Sequence, residues 1–449
     1  MGKLFGTDGI RGVANVELTP ELALDLGRSS IYTLHKFKNK TIRIIIGKDT
    51  RLSSYMLENA LASGMCSMGA QVNLVGVIPT PAVAFLSNKF DFDIGVVISA
   101  SHNVFHDNGI KFFDCKGFKL QDEIEDEIEK TILFDKKKLP RFSHDKLGSV
   151  IKKKDMQKEY IDFLLEKFKN LKLNKFRVGL DCANGATFKI APFLFRELGA
   201  EVFVINNQPN GLNINLNCGS TNLNNLSNLV IEKKLDMAFG FDGDGDRCLA
   251  IDKNGKIIYG DSILYIFVNH LKRNNLLKNN ILTTTSMSNL ALFNFCKNNN
   301  INIITSKIGD KYVFKDMIES GSIVGGEQSG HIILREYSTT GDGILTALFL
   351  SKIIYETDKK LDELNDLEIM PQVTKNIIID NKPKEDIFLD KNIKNYIFEL
   401  RERLKNGRVI VRVSGTEPVV RIMLDGEDQN ILEEEVKKLE ELFYKFIKV

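Results

Sequence analysis

The chain has 449 residues, and 61 Lys and Arg against 59 Asp and Glu leave a formal charge of +2 at pH 7. That balance argues against a general nucleic-acid binder, which carries a basic excess. With 43% hydrophobic and 27% charged residues, the composition also excludes a disordered or fibrous chain. No apolar run approaches the roughly 18 residues that cross a bilayer. The start MGKLFGTDG lacks the apolar stretch of a secretory leader, so the expectation is a cytoplasmic protein with no membrane partner. Cys66, Cys115, Cys182, Cys218, Cys248 and Cys296 form no C-x-x-C pair and read as structural thiols rather than a zinc or redox centre.

In chain order, short β-rich runs alternate with amphipathic stretches: TIRIIIG (41–47), QVNLVGV (71–77), DIGVVIS (93–99), FRVGLDC (176–182), AEVFVIN (200–206) and DMAFGFD (236–242). Such alternation predicts α/β units with mostly parallel strands, and ligands gather at the loops leaving strand C-termini. Three breaks interrupt it: the lysine-rich stretch Lys136 to Lys154, read as one surface connection, the turn Asp252-Lys253-Asn254-Gly255, and the segment Glu368 to Pro383. They predict pieces at 1–150, 151–253, 254–369 and 370–449, where length alone suggests about three domains. The last piece reads as helix (about 386–406), strand RVIVRV, loop SGTEP, strand VVRIML and a charged helix from about Asn430, an α+β pattern.

The sharpest chemical signal is FDGDGDR (241–247), directly after an apolar strand. In an extended segment residues i, i+2 and i+4 share a side, so Asp242, Asp244 and Asp246 can present three carboxylates to one point. Three hard oxygen ligands suit Mg²⁺, or Ca²⁺ in a different setting; a solvated acidic turn is the simpler alternative, against which the repulsion of three close carboxylates weighs. An EF-hand is excluded, because Arg247 and Lys253 stand where its Gly and Glu are needed.

Three further loops follow strands. ISASHN (98–103) holds Ser101 beside His102, with no nucleophile elbow around it; by spacing alone a plain turn competes with a covalent phosphoryl carrier. GGEQSGH (325–331) begins like a P-loop but has His331 and Ile332 where Lys and Ser/Thr are required, so it offers Glu327, Ser329 and His331 to a polyol rather than to ATP, with a plain polar turn as the equal alternative. RVSGTEPVVR (412–421) offers hydroxyls and backbone N–H groups between Arg412 and Arg421, a set that can hold a phosphate dianion; a β-hairpin with surface arginines is the simpler alternative.

Taken in this order, together with FGTDGIRG (5–12), IPTPAV (78–83), DNGIKFF (107–113), DCANGA (181–186), GLNIN (211–215), CGSTN (218–222), KIGDKYV (307–313) and STTGDGI (338–344), these strings resemble the α-D-phosphohexomutase superfamily over nearly the whole chain. The resemblance implies four domains around a central cleft, three related α/β mixed-sheet domains followed by an α+β C-terminal phosphate-binding domain. It is strongest toward the bacterial branch that interconverts glucosamine 6-phosphate and glucosamine 1-phosphate for UDP-N-acetylglucosamine synthesis. A phosphomannomutase/phosphoglucomutase is the alternative, against which Gln328, FGTDGIRG and CGSTN weigh. A metal-dependent sugar phosphatase is a more distant one.

Carried over by motif, Ser101 is the residue phosphorylated in the active enzyme. Asp242, Asp244 and Asp246 then bind one Mg²⁺ per chain together with the phosphoserine oxygen, and a sugar 1,6-bisphosphate serves as intermediate or activator. Glu327 and Ser329 recognise sugar hydroxyls. Arg412, Ser414, Gly415, Thr416 and Arg421 hold the phosphate that does not react. His102 belongs to the catalytic loop, Arg11 and Arg247 stabilise charge, and Lys111 and His331 are the acid/base candidates. A lysine base needs a depressed pKa, which neighbouring arginines would supply by like-charge repulsion. The partner is a small sugar phosphate, and the family's pairing through its first domain implies a homodimer. Val104 departs from the family's Pro after His-Asn, which frees φ at that position.

Overall fold

The computed structural model describes residues 4–6, 8–36, 40–379, 390–413 and 419–448. It divides into two compact units, Met1–Thr285 with Ile304–Asp366, and Ser286–Ile303 with Leu367–Val449. Among the described residues no helix is long and apolar enough to cross a membrane, and all six cysteines are free.

The first sheet contains β1 (Ile10–Val13), β2 (Arg43–Lys48), β3 (Gln71–Val77), β4 (Ile94–Ile98), β5 (Asp107–Asp114) and β6 (Ser149–Lys152), in the order β1-β5-β4-β2-β3-β6. Strands β4, β2, β3 and β6 run parallel and β5 turns back antiparallel on β4. Ile44, Ile46, Ile94 and Val96 join one buried cluster with Leu26 and Leu61 of the helices Pro20–His35 and Leu52–Cys66. The alternate residues Ile45 and Val97 are buried as well. Both faces are therefore covered, which is why these strands read as unbroken apolar runs. Strand β6 corrects the reading of Lys136 to Lys154 as mere connection, since four of its residues add an edge to the sheet. Its residues are mostly exposed, so no apolar alternation marked it.

The second sheet contains β7 (Arg177–Asp181), β8 (Glu201–Ile205), β9 (Met237–Phe241), β10 (Cys248–Asp252) and β11 (Ile257–Ile258), ordered β11-β10-β9-β7-β8. The third contains β12 (Ile281–Thr285), β13 (Asn302–Ser306), β14 (Val324–Gly326) and β15 (Ile332–Leu334), ordered β13-β12-β14-β15. One plan recurs in all three. A buried strand parallel to its neighbour runs into a loop and returns as an antiparallel partner: β4 to β5, β9 to β10, and β14 to β15. The loops so formed carry Ser101, the three aspartates, and Glu327 with Ser329.

The second unit carries an antiparallel sheet, β16 (Gln372–Ile378), β17 (Arg408–Val413) and β18 (Val419–Asp425), ordered β16-β18-β17. Ile377, Val420 and Ile422 pack there with Leu400 of the helix Lys391–Arg403 and Phe443 of the helix Gln429–Lys448. This is the α+β pattern expected of the C-terminal piece.

Candidate active site

Ser101 lies just past β4, buried, with φ +51°. For a residue with a Cβ, that left-handed conformation costs about 1–3 kcal/mol and persists only where the surroundings enforce it. Its Oγ donates to Asp242 Oδ2 at 2.7 Å, and its N–H donates to Ser99 Oγ at 2.9 Å. His102, next in the chain, has its imidazole pushed down to about 3, first by burial and then by the cationic Arg247 and Arg11. It is neutral at physiological pH.

The β9–β10 loop brings Asp242, Asp244 and Asp246 together, with one oxygen of each within 4.8 Å of the others. Gly245 takes φ +72° to close the turn. Asp242 Oδ1 accepts from the Arg247 N–H at 3.2 Å. Asp244 Oδ2 accepts from Thr80 Oγ1 at 2.6 Å and from Lys111 Nζ at 2.9 Å, and Asp246 Oδ2 lies 3.3 Å from the same ammonium. The Oδ1 atoms of Asp244 and Asp246 are buried with no partner. Burial, with Asp246 and Asp244 adding repulsion, raises the Asp242 carboxyl well above its ordinary value. Two carboxylate oxygens without hydrogen-bond partners, beside a carboxyl whose pKa burial and its neighbours raise, are what a hard-cation site offers, and the residues fit a Mg²⁺ ion.

Lys111 requires a correction. The expected like-charge neighbours are outweighed by carboxylates: Asp244 at 2.9 Å, Asp8 at 3.0 Å and Asp246 at 3.3 Å. Burial opposes the charge, but these three hold the ammonium well above its ordinary pKa. That direction is opposite to the depressed pKa expected of a lysine base. Asp8 also pairs with Arg11 and with Lys119, and Lys119 pairs in turn with Asp310. Asp310 Oδ2 lies 3.4 Å from His331 Nε2. A chain of alternating charge, partly buried at Asp8, Lys119 and Asp310, thus joins the aspartate loop to His331.

The β14–β15 loop meets the aspartate loop directly. Arg247 and His331 form a β-bridge, and the Cys248 N–H donates to the Gly330 carbonyl at 3.0 Å. Glu327 accepts from the Gly309 N–H at 3.2 Å through Oε1, and Ser329 Oγ donates to its Oε2 at 3.4 Å. Arg247 Nε stands 4.0 Å from Asp246 Oδ1. Its guanidinium stays charged despite burial because Asp246 and Asp242 face it.

Four descriptions of the phosphoglucomutase/phosphomannomutase family match in order: alpha/beta/alpha domain I over residues 2–138, domain II over 158–255, domain III over 259–370, and the C-terminal domain over 372–442. The phosphoglucosamine mutase of Caldicellulosiruptor saccharolyticus is 48% identical over 441 residues, 98% of this chain and 97% of that protein. The chain belongs to the phosphoglucosamine mutase family.

Solved structures place that family's fold on this chain. A phosphoglucomutase/phosphomannomutase family protein from Burkholderia thailandensis superimposes with a TM-score of 0.79 at 22% identity, covering 97% of this chain and 96% of its own. The N-acetylphosphoglucosamine mutase of Aspergillus fumigatus, solved in complex with GlcNAc-6P and magnesium, gives 0.68 at 15% identity over 98% of this chain and 95% of its own.

In the C-terminal unit of this phosphoglucosamine mutase family member, Arg412 and Arg421 stand opposite one another in the β17–β18 register. Burial and the neighbouring Arg421 push the Arg412 guanidinium below its usual value. Ser414, Gly415 and Thr416 lie outside the described residues. Several residues of the larger unit's site carried no role in the sequence reading: Asp8, Arg51, Thr80, Lys119, Asn215 and Asp310. All but Arg51 and Lys119 sit inside quoted motifs, so the strings marked them. Each touches at least one partner more than 30 residues away.

Proposed function

We propose that this chain interconverts glucosamine 6-phosphate and glucosamine 1-phosphate through a phosphorylated Ser101 and a bound 1,6-bisphosphate. The observation that carries this reading is the 2.7 Å bond from Ser101 Oγ to Asp242, inside a buried aspartate triad with two oxygens to spare. Family membership supplies the substrate class.

In the forward half-reaction the free sugar hydroxyl attacks the phosphorus on Ser101. The new sugar O–P bond forms as the Ser101 Oγ–P bond breaks, and the hydroxyl proton passes to a base. His331 is the candidate for that base, held beside Asp310. After the bisphosphate turns end for end, Ser101 attacks the other phosphoryl group and the proton returns. A Mg²⁺ held by Asp242, Asp244 and Asp246 neutralises charge on the transferring group when bound. Lys111 and Arg247, both held toward their charged forms by the carboxylates around them, are suited to stabilising the same charge. Neutral His102 is suited to a hydrogen bond rather than to charge. Glu327 and Ser329 are suited to sugar hydroxyls, and Arg412 and Arg421, opposite one another on β17 and β18, to a distal phosphate.

Ser101→Ala tests the reading. It is expected to abolish isomerisation in a coupled assay with glucosamine 6-phosphate while leaving the fold intact, and intact mass should lose the phosphate carried by the wild type. Activity above about a hundredth of wild type would refute a phosphoserine carrier. Preference for glucose 1-phosphate would refute the substrate, and phosphate release without isomerisation would make the protein a phosphatase.

A further inference from the structure

Ser101 holds a backbone conformation that it does not favour, and the structure shows what enforces it. Arg51 follows β2 and is fully buried. Its Nε donates to Asp49 Oδ2 at 2.8 Å, which fixes the guanidinium. Its two terminal nitrogens then donate to four carbonyls of the Ser101 loop: Ser101 at 3.1 Å, Asn103 at 2.7 Å, Asp107 at 3.0 Å, and Val104. Asn215 comes from the second sheet's connections, 114 residues further on, itself at φ +56°. Its Nδ2 donates to the same carbonyls of Ser101 and Asn103, each at 2.8 Å.

The aspartate loop rests on the same point. A Cβ built on Gly243 would lie 2.6 Å from both the Ser101 carbonyl oxygen and Asn215 Nδ2. The serine loop and the aspartate loop therefore meet at one carbonyl, which is shared by Arg51 and Asn215. A planar fork can satisfy four converging acceptors; an ammonium, as a point charge, cannot.

We propose that Arg51 and Asn215 are positioning residues that clamp the Ser101 loop from two sides, setting where the phosphoryl-bearing oxygen stands against Asp242 and the sugar. The proposal rests on the reading of Ser101 as a phosphoryl carrier. A shift of about 1 Å at a reacting group costs on the order of 100-fold in rate without changing the binding contacts. The clamp therefore acts on transfer and leaves ground-state affinity alone.

The test uses the full-length chain as wild type, Asn215→Ala, Arg51→Lys and Ser101→Ala, phosphorylated with labelled glucose 1,6-bisphosphate. Single-turnover transfer of label to glucosamine 6-phosphate is measured beside KM, the melting temperature and release of label to water. Asn215→Ala is expected to slow transfer by about 10- to 100-fold with KM within about twofold of wild type and label lost to water no more slowly. Arg51→Lys should do the same more strongly; if it fails to fold, Asn215→Ala decides alone. Wild-type transfer in Asn215→Ala, or a loss that only tracks the fraction unfolded, overturns the clamp. Ser101→Ala separates the two readings: turnover there sinks the phosphoserine carrier itself, whereas an inactive Ser101→Ala beside a fully active Asn215→Ala sinks the clamp alone.

Discussion

The serine loop and the aspartate loop are built on one plan, each joining a buried parallel strand to an antiparallel return, yet they obtain their shapes differently. The aspartate loop carries its own conformational freedom, with Gly245 at φ +72° and Gly243 leaving room for the neighbouring carbonyl. The serine loop holds no glycine between β4 and Asn108. Its left-handed residue is the serine itself, so its shape is imposed by Arg51 and Asn215. One loop needs its own sequence intact; the other needs its neighbours. Substitutions should therefore fall on different steps in the two loops.

The largest effect should come from the aspartate loop's charge. Asp244→Asn keeps the shape but removes a ligand and one counter-ion of Lys111. Because electrostatic stabilisation is commonly the largest catalytic contribution, we expect kcat to fall by about 100- to 1,000-fold. Mg²⁺ titration by calorimetry should weaken in parallel. In the wild type, burial and neighbouring carboxylates raise Asp242, so protons should compete with Mg²⁺ at a higher pH than for an ordinary carboxylate, read as metal affinity falling as pH falls. Unchanged metal affinity in Asp244→Asn would break the assignment of this loop to the metal.

Two glycine substitutions sharpen the contrast next. Gly243→Ala drives a methyl against the Ser101 carbonyl and Asn215 at 2.6 Å, and Gly245→Ala places one 2.5 Å from Thr187 Cγ2 at positive φ. Overpacking of this kind costs about 1–3 kcal/mol, which thermal melting would show for both. The kinetic outcomes should differ: Gly243→Ala should slow phosphoryl transfer about 10-fold or more by moving the serine loop. Gly245→Ala should instead weaken Mg²⁺ binding. Identical kinetic profiles would mean that the two loops move as one.

The clustering of the three aspartates was legible because it is local: alternation along five residues suffices to bring three carboxylates to one side, whereas the role expected of Ser101 came only from the family resemblance. The sequence likewise showed strand β3 at its observed bounds, since seven residues of apolar pattern are also local. Lys111 was misread because the charge around it is not local. Asp8, Asp244 and Asp246 reach it from 103 residues upstream and more than 130 downstream, and no spacing rule couples those positions. Arg51 and Asn215 were passed over for the same reason, and the edge strand β6 because it has almost no buried side.

The smallest expected effect tests whether the aspartate loop has any outside brace. Asp342 caps the helix Gly343–Thr357, accepting from the Leu345 N–H at 2.9 Å. The Gly343 N–H donates to the Gly245 carbonyl at 2.9 Å, so this helix touches the loop's backbone. Tyr160 donates its hydroxyl to the Asp342 carboxylate at 2.8 Å. Burial raises that carboxyl to about 6, and the Tyr160 bond works against the rise. In Tyr160→Phe the folded-state pKa should climb further, and the charged form should lose about 1.5–3 kcal/mol of hydrogen bonding. The sign follows from linkage. A carboxyl raised in the folded state is penalised above its folded pKa and relieved as pH falls toward the unfolded value near 3.8. The melting-temperature gap between wild type and variant should accordingly be widest above about pH 7 and shrink as pH falls through 6. Because the aspartate loop keeps its shape through its own glycines, kcat at neutral pH should stay within about twofold of wild type. A larger fall in kcat with no change in melting temperature would show that this loop, too, is held from outside.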